Sequence, residues 1–253
     1  MRRLLIPLVL TGLLAAPAPA ALAPASAAPA HDAADAARTE TQTRARAAAG
    51  RLDGVRVDLR KGTRQVVTVN RTSGYHARVT LWAKQGGKWV QRFQTTNGRI
   101  GYSGLVRPRK RVQGSGKTPL GTHRLPWAFG MNAQDDRWDP SYRRVRNGDY
   151  WVLDNQSAYY NRYRNKSQGG FRWRLPSSHP DSSERLKDFK SQYEFAFVTS
   201  FNAKQVRHRG GAIFLHVNGS GATAGCVSAP RGFMRRLMVK LHQGYVPLIA
   251  IGR

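Results

Sequence analysis

The chain has 253 residues with 42 Lys and Arg against 14 Asp and Glu, a formal charge of +28, and a single cysteine. One thiol excludes an internal disulfide framework and any paired-cysteine zinc site. A hydrophobic content of 40% excludes a wholly disordered chain, and the charge predicts a polyanionic neighbourhood.

Arg2 and Arg3 precede an apolar run from Leu4 to Ala16, and small residues follow at Ala25-Ser-Ala27 and Ala28-Pro-Ala30. Residues 1–30 are therefore expected to be a secretory signal peptide. The run is short for a bilayer span and no later stretch is apolar enough, so export without stable membrane insertion is expected. Export turns the basic surface towards anionic cell-wall polymers as partners and away from nucleic acid. Residues 31–54, rich in Ala, Thr and Arg, read as a flexible spacer, and residues 55–253 suffice for one domain.

Strand signals then come in quick succession. Residues 65–69 and 77–82 alternate, and a Gly86-Gly87 turn leads from the second into residues 88–93, a hairpin pattern. Residues 132–190 hold most of the acids and many Tyr and Arg without clean periodicity. They are expected to be a long loop-rich insertion, either a substrate wall or a surface excursion. Within it, residues 182–189 read as a short serine-capped helix. Further strands are expected over 193–198, 212–216 and 245–251. Residues 230–241 place Phe233, Leu237 and Leu241 at helical spacing and stop near Gly244. The fold class is thus mostly β, a sandwich or barrel with one substantial helix directly after the cysteine.

Chemistry concentrates at residues 213–227, where an apolar run delivers His216, a Gly-rich turn follows, and Cys226 comes directly after Gly225. A cysteine nucleophile needs a base or a cationic neighbour, because its free pKa lies near about 8.5. A histidine ending a strand is rigidly held, and a Gly-rich turn can fold the thiol back towards it. Gly225 allows close backbone approach, so amides there and at Cys226 can face an oxyanion. Thr223 and its small neighbours leave room for substrate. The competing reading is a buried, inert thiol at a strand end. The remaining histidines, among them His208, show no zinc spacing, so neither a metal nor an organic cofactor is expected. Gly114-Ser-Gly-Lys117-Thr118 looks like a phosphate loop, but Arg111 stands where that pattern requires glycine.

His216, the Gly-rich link and Thr223-Ala-Gly225-Cys226-Val227 resemble the signature of L,D-transpeptidases with the YkuD-type catalytic domain. The resemblance extends to Gly101-Tyr-Ser-Gly104, Thr118-Pro119-Leu-Gly121 and the strands around 193–202 and 211–216, and so covers about residues 60–253. Two departures stand out: a shorter link from histidine to cysteine, and Ala224 where the family often carries histidine. The resemblance implies a secreted, cell-wall enzyme with a YkuD-like β-sandwich or barrel. Cys226 would be the nucleophile and His216 the general base, with Gly225, Thr223 and Asn218 shaping the site. It implies a thioester acyl-enzyme formed on peptidoglycan stem peptides, release of D-Ala and formation of 3→3 cross-links. Asn218 or a main-chain carbonyl would orient His216. Two rivals stay open: a thiol hydrolase on the same fold, and a non-enzymatic basic wall-binding protein.

Overall fold

The computed structural model describes residues 50–253. The expected signal peptide, residues 1–30, and most of the expected spacer lie outside the described residues. The last residues of the stretch read as spacer form the first hairpin, Arg51–Leu52 against Val55–Arg56.

Ten strands build one curled sheet. In chain order they are β1 (Gln65–Ser73), β2 (His76–Gln85), β3 (Lys88–Arg99), β4 (Gly121–Arg124), β5 (Trp127–Gly130), β6 (Tyr142–Arg144), β7 (Ala196–Val198), β8 (Phe214–Val217), β9 (Val227–Ala229) and β10 (Leu248–Gly252). Their spatial order is β6-β5-β7-β8-β9-β3-β2-β1-β10-β4. Three neighbouring pairs are parallel: β5 with β6, β8 with β9, and β1 with β10. The fold is mostly β, as the sequence predicts, with one α-helix among the described residues, α1 (Arg231–Lys240), directly after β9. That helix is neither long nor apolar enough to cross a membrane.

Period-2 alternation divides the sheet's residues between its two faces. Val67, Val79, Leu81, Leu215, Val227 and Ile249 point inwards and pack under Phe233, Met234 and Leu237 of α1. The opposite face is covered in two places. The N-terminal hairpin lays Leu52 and Val55 on Val66, Trp82, Leu248 and Ala250. Further along, the excursion between β6 and β7 packs Trp151, Leu186 and Tyr193 on Phe129, Val198 and Phe214. The aromatic contacts in this second patch are edge-to-face, with ring centroids 4.9 to 5.6 Å apart for Phe214 against Trp151, Phe129 and Tyr193. Such pairs add about 0.5–1.5 kcal/mol each beyond burial.

The excursion is held differently. Its small sheet pairs Asp149–Trp151 with both Tyr163–Asn165 and Glu184–Arg185. Asp154 accepts two hydrogen bonds from the Arg172 guanidinium and two from the amides of Gln156 and Arg172. Residues 182–189 are not the expected helix. They form the two-residue strand Glu184–Arg185 and then a 3₁₀ turn over Leu186–Phe189, because pairing with Trp151 captures residue 184 before a helix can start.

Candidate active site

Strands β8 and β9 are parallel and in register, His216 beside Ser228 and Leu215 beside Val227. Parallel partners share a face, so Phe214 and His216 lie on the same side as Cys226, the residue just before β9. Leu215 and Val227 point into the α1 core instead. Alternation therefore puts the imidazole one diagonal step from the thiol. Only the nine residues 218–226 join the two strands, fewer than the dozen or so that a parallel crossover usually takes. Strands of three and four residues make so short a return feasible, and the glycines of the link let it fold tightly.

The return loop is fixed from below. Thr223 forms an isolated bridge with Gly101, where a side chain would meet the Gly116 carbonyl oxygen at 2.2 Å. Thr223 Oγ1 donates to the Cys226 carbonyl at 2.6 Å, and Thr118 Oγ1 donates to the same oxygen at 3.2 Å. Two hydroxyls thus hold the peptide plane after the thiol. Gly225 has a φ of 131°, and a Cβ there would lie 3.0 Å from both Arg111 Nη2 and the Lys117 carbonyl oxygen. Glycine is required at this position on both counts.

Cys226 and His216 line one cavity of about 350 Å³, together with Arg111, Glu184, Tyr193 and Thr223. The cysteine is 9% exposed and the histidine 7%. His216 Nδ1 is 2.8 Å from the Val217 carbonyl oxygen, which places the Nδ1 proton there and leaves Nε2 as the basic nitrogen. Tyr193 packs edge-on against the imidazole at 5.4 Å. Burial depresses the His216 pKa to about 4, the Val217 carbonyl opposing it.

The thiol is held as a thiol. Cys226 Sγ donates to the Ala212 carbonyl at 3.0 Å and accepts from the Phe214 amide at 3.4 Å. Burial pushes its pKa up to about 12. The Glu184 carboxylate adds to that rise, while the Phe214 amide and Arg111 work against it. At rest the pair is therefore neutral imidazole and neutral thiol, with no hydrogen bond between the two side chains. No thiolate–imidazolium ion pair is preformed. Ala212 adopts a φ of 51°, held by Asn161 Oδ1, which accepts from its amide at 3.2 Å. This left-handed turn aims the carbonyl at the sulfur.

Two of the expected site-shaping roles change. Asn218 does not face the cavity: its amide donates to the Asn97 carbonyl and its oxygen accepts from Ser228 Oγ. The main-chain carbonyl of Val217 orients His216 instead. The Gly225 amide donates to Thr223 Oγ1 at 3.2 Å, so Thr223 rather than an oxyanion takes that proton. Arg231, close after the thiol in sequence, pairs with Glu194.

Sequence reasoning passed over Arg111, Glu184 and Tyr193. Arg111 is buried among polar partners, with Nε donating to the Lys117 carbonyl and Nη1 to the Arg209 carbonyl. Its pKa is lowered by burial, and the neighbouring Cys226 opposes that shift. Glu184 accepts from the Tyr193 hydroxyl. Burial raises its pKa to about 7, against the lowering effect of that hydrogen bond. One arginine among 42 cationic residues carries no local signal, but Glu184 is one of three glutamates in the chain, and that scarcity was a usable clue. Among the described residues, no group of three or more His, Cys, Asp and Glu is placed to hold a metal ion.

A family model described as the L,D-transpeptidase catalytic domain, YkuD, matches residues 64–248. No curated protein matches the chain. Among solved structures, the chain is similar to the helical cell shape determining protein Pgp2 from Campylobacter jejuni, at 16% identity and a TM-score of 0.40, over 75% of this chain and 48% of that one. It is also similar to Bd1075 from Bdellovibrio bacteriovorus, at 14% identity and a TM-score of 0.39, over 78% and 50% respectively. The chain spans about half the length of each.

Proposed function

The chain belongs to the family of L,D-transpeptidase catalytic domains, YkuD, and we propose that it is an exported cysteine acyltransferase acting on peptidoglycan stem peptides. A cleaved signal at residues 1–30, a spacer to residue 54 and a basic surface facing anionic wall polymers complete this reading. The observation that carries it is the placing of Cys226 and His216 on one face of two adjacent parallel strands, lining one cavity.

The chemistry follows from the resting protonation states. His216 Nε2 is unprotonated and the sulfur keeps its proton, so the imidazole acts as a general base during attack rather than before it. The carbonyl of the third stem residue enters above the sulfur, and the thiol leaves the Ala212 carbonyl. The S–H proton passes to His216 as the S–C bond forms. The Cys226 amide and Arg111 Nη2, which lies against Gly225, are the donors nearest the developing oxyanion. Collapse breaks the C–N bond to D-Ala, whose amine takes the proton from His216. The side-chain amine of a second stem then attacks the thioester and gives its proton to His216, which returns it to the sulfur. A 3→3 cross-link results, with no change of oxidation state.

Mass analysis after incubation with a disaccharide tetrapeptide tests this. A dimer lacking one D-Ala is the expected product. A tripeptide monomer alone means that water resolves the thioester and the protein is a hydrolase. Unchanged tetrapeptide, with no adduct on Cys226, overturns the enzymatic reading.

A further inference from the structure

Glu184 has no part in the chemistry above, yet it occupies the same cavity as the thiol and the imidazole. Its backbone is pinned by pairing with Trp151, and its Oε1 accepts from a tyrosine whose ring packs on His216. The second oxygen, Oε2, has no hydrogen-bond partner among the described residues, and it is not sealed from solvent either. Among the described residues no cation lies within ion-pair distance of it, although the chain holds 42 Lys and Arg against 14 acids. Two of the buried acids have such partners, Asp53 with Arg78 and Asp154 with Arg172, whereas buried Asp149 is satisfied by the Tyr163 hydroxyl, the Asn165 side chain and the Arg146 amide.

A half-buried carboxylate without a cation still carries a desolvation cost. In a chain this basic, a lysine or arginine could have neutralised it, and any that did would fill the cavity. The opening is therefore suited to a positive group that arrives with the ligand. Arg111 lines the same cavity, and its Nη2, beside Gly225, makes no hydrogen bond among the described residues. The cavity thus holds both a carboxylate and a guanidinium along with its nucleophile.

We propose that Glu184 is the ammonium-recognition residue of this site, pairing through Oε2 with a primary amine carried by the bound peptide. The inference rests on the stem-peptide reading. The amine has two sources: the side chain of the third residue of the stem being attacked, or that of the stem that accepts the acyl group.

The test compares wild type with Glu184→Gln, whose folding is checked by circular dichroism and thermal melting. Disaccharide tetrapeptides are supplied with the third-residue amine free or acetylated, and D-Ala release is followed in a single turnover. Calorimetric binding of the same peptides to Cys226→Ala forms, with and without E184Q, needs no chemistry. The expected result is at least tenfold tighter binding of the free-amine peptide, with E184Q erasing the preference and leaving acetyl-peptide binding intact. If the donor amine is the one recognised, D-Ala release shows the same preference. If the acceptor amine is recognised, D-Ala release shows no preference for the free amine, and in E184Q the ratio of dimer to tripeptide falls at least tenfold. The inference is overturned if E184Q leaves binding preference, release and product ratio as in wild type, and this holds even where D-Ala release upholds the enzymatic reading. A binding preference without D-Ala release supports amine recognition and removes the acyl transfer.

Discussion

Two walls enclose the cavity, and they are made by opposite means. One is the sheet, where Leu215 and Val227 are fully buried and a face of Val, Leu and Ile packs under α1. The other is the excursion, whose backbone is irregular and whose shape is kept by charged and amide side chains. There Asp154 and Asp181 share Arg172, and Asn161 joins Trp151 to residues 201, 202 and 212. The sheet wall supplies the sulfur and the imidazole, and the excursion supplies the carboxylate. The imidazole and thiol thus sit on and beside packed sheet strands, and the group proposed to choose the ligand sits on the excursion, which touches them through Tyr193 and Asn161.

Substitutions on each wall can break this contrast. On the proposed function, Cys226→Ala is expected to abolish D-Ala release and His216→Ala to slow single-turnover acylation by about 10² to 10⁴-fold, in both cases with a melting temperature near that of wild type. Phe197→Ala, at a fully buried sheet position, is expected to destabilise the whole domain by about 3–5 kcal/mol in denaturant titration. Arg172→Ala strands two carboxylates, and stability of the excursion is lost. Hydrogen exchange should show that loss over residues 149–185 while strands β1 to β3 stay protected. A global loss of protection would deny the division into two walls.

Acid sharpens the same contrast. Asp154 is raised by burial, but its Arg172 and amide hydrogen bonds outweigh that and hold it at about 2. A depressed carboxylate contributes its full stability above its unfolded pKa and loses it as pH falls towards the folded value. Between about pH 4 and 2, tryptophan fluorescence from the excursion should therefore change before the far-ultraviolet signal of the sheet. The smallest effect expected is on the thiol itself. With E184Q, alkylation of Cys226 should speed up roughly threefold at pH 8–9, where the native carboxylate is charged, and stay unchanged below pH 6.

Much of the sheet is legible in the residues. Alternation in 65–69 and 77–82 and the Gly86-Gly87 turn anticipate β1 to β3, and the apolar spacing after Pro230 anticipates α1. These elements answer to local periodicity. Residues 193–195 alternate like a strand, yet β7 begins only at Ala196. The Tyr193 amide bonds back to the Phe189 carbonyl, and its side chain is committed to Glu184. The excursion carries no period because side-chain hydrogen bonds set its path rather than burial of one face. Within the candidate site, the histidine and the thiol were readable as neighbours in sequence on a strand and a return loop. Arg111, Glu184 and Ala212 come from chain positions with no spacing relation to Cys226, so only the fold brings them to it. Asn218 misled because closeness in sequence to a strand end does not tell which side of the loop faces inwards.

The hydrogen bond from Cys226 to the Ala212 carbonyl also bears on how long the molecule lasts. Peroxides and stray disulfides attack thiolates far faster than thiols. A sulfur kept protonated beneath a carbonyl gives such oxidants little to react with. If the chain is exported as proposed, to where no reductant is replenished, it can in this way keep its only cysteine chemically idle between encounters, and reserve it for a ligand that displaces that carbonyl.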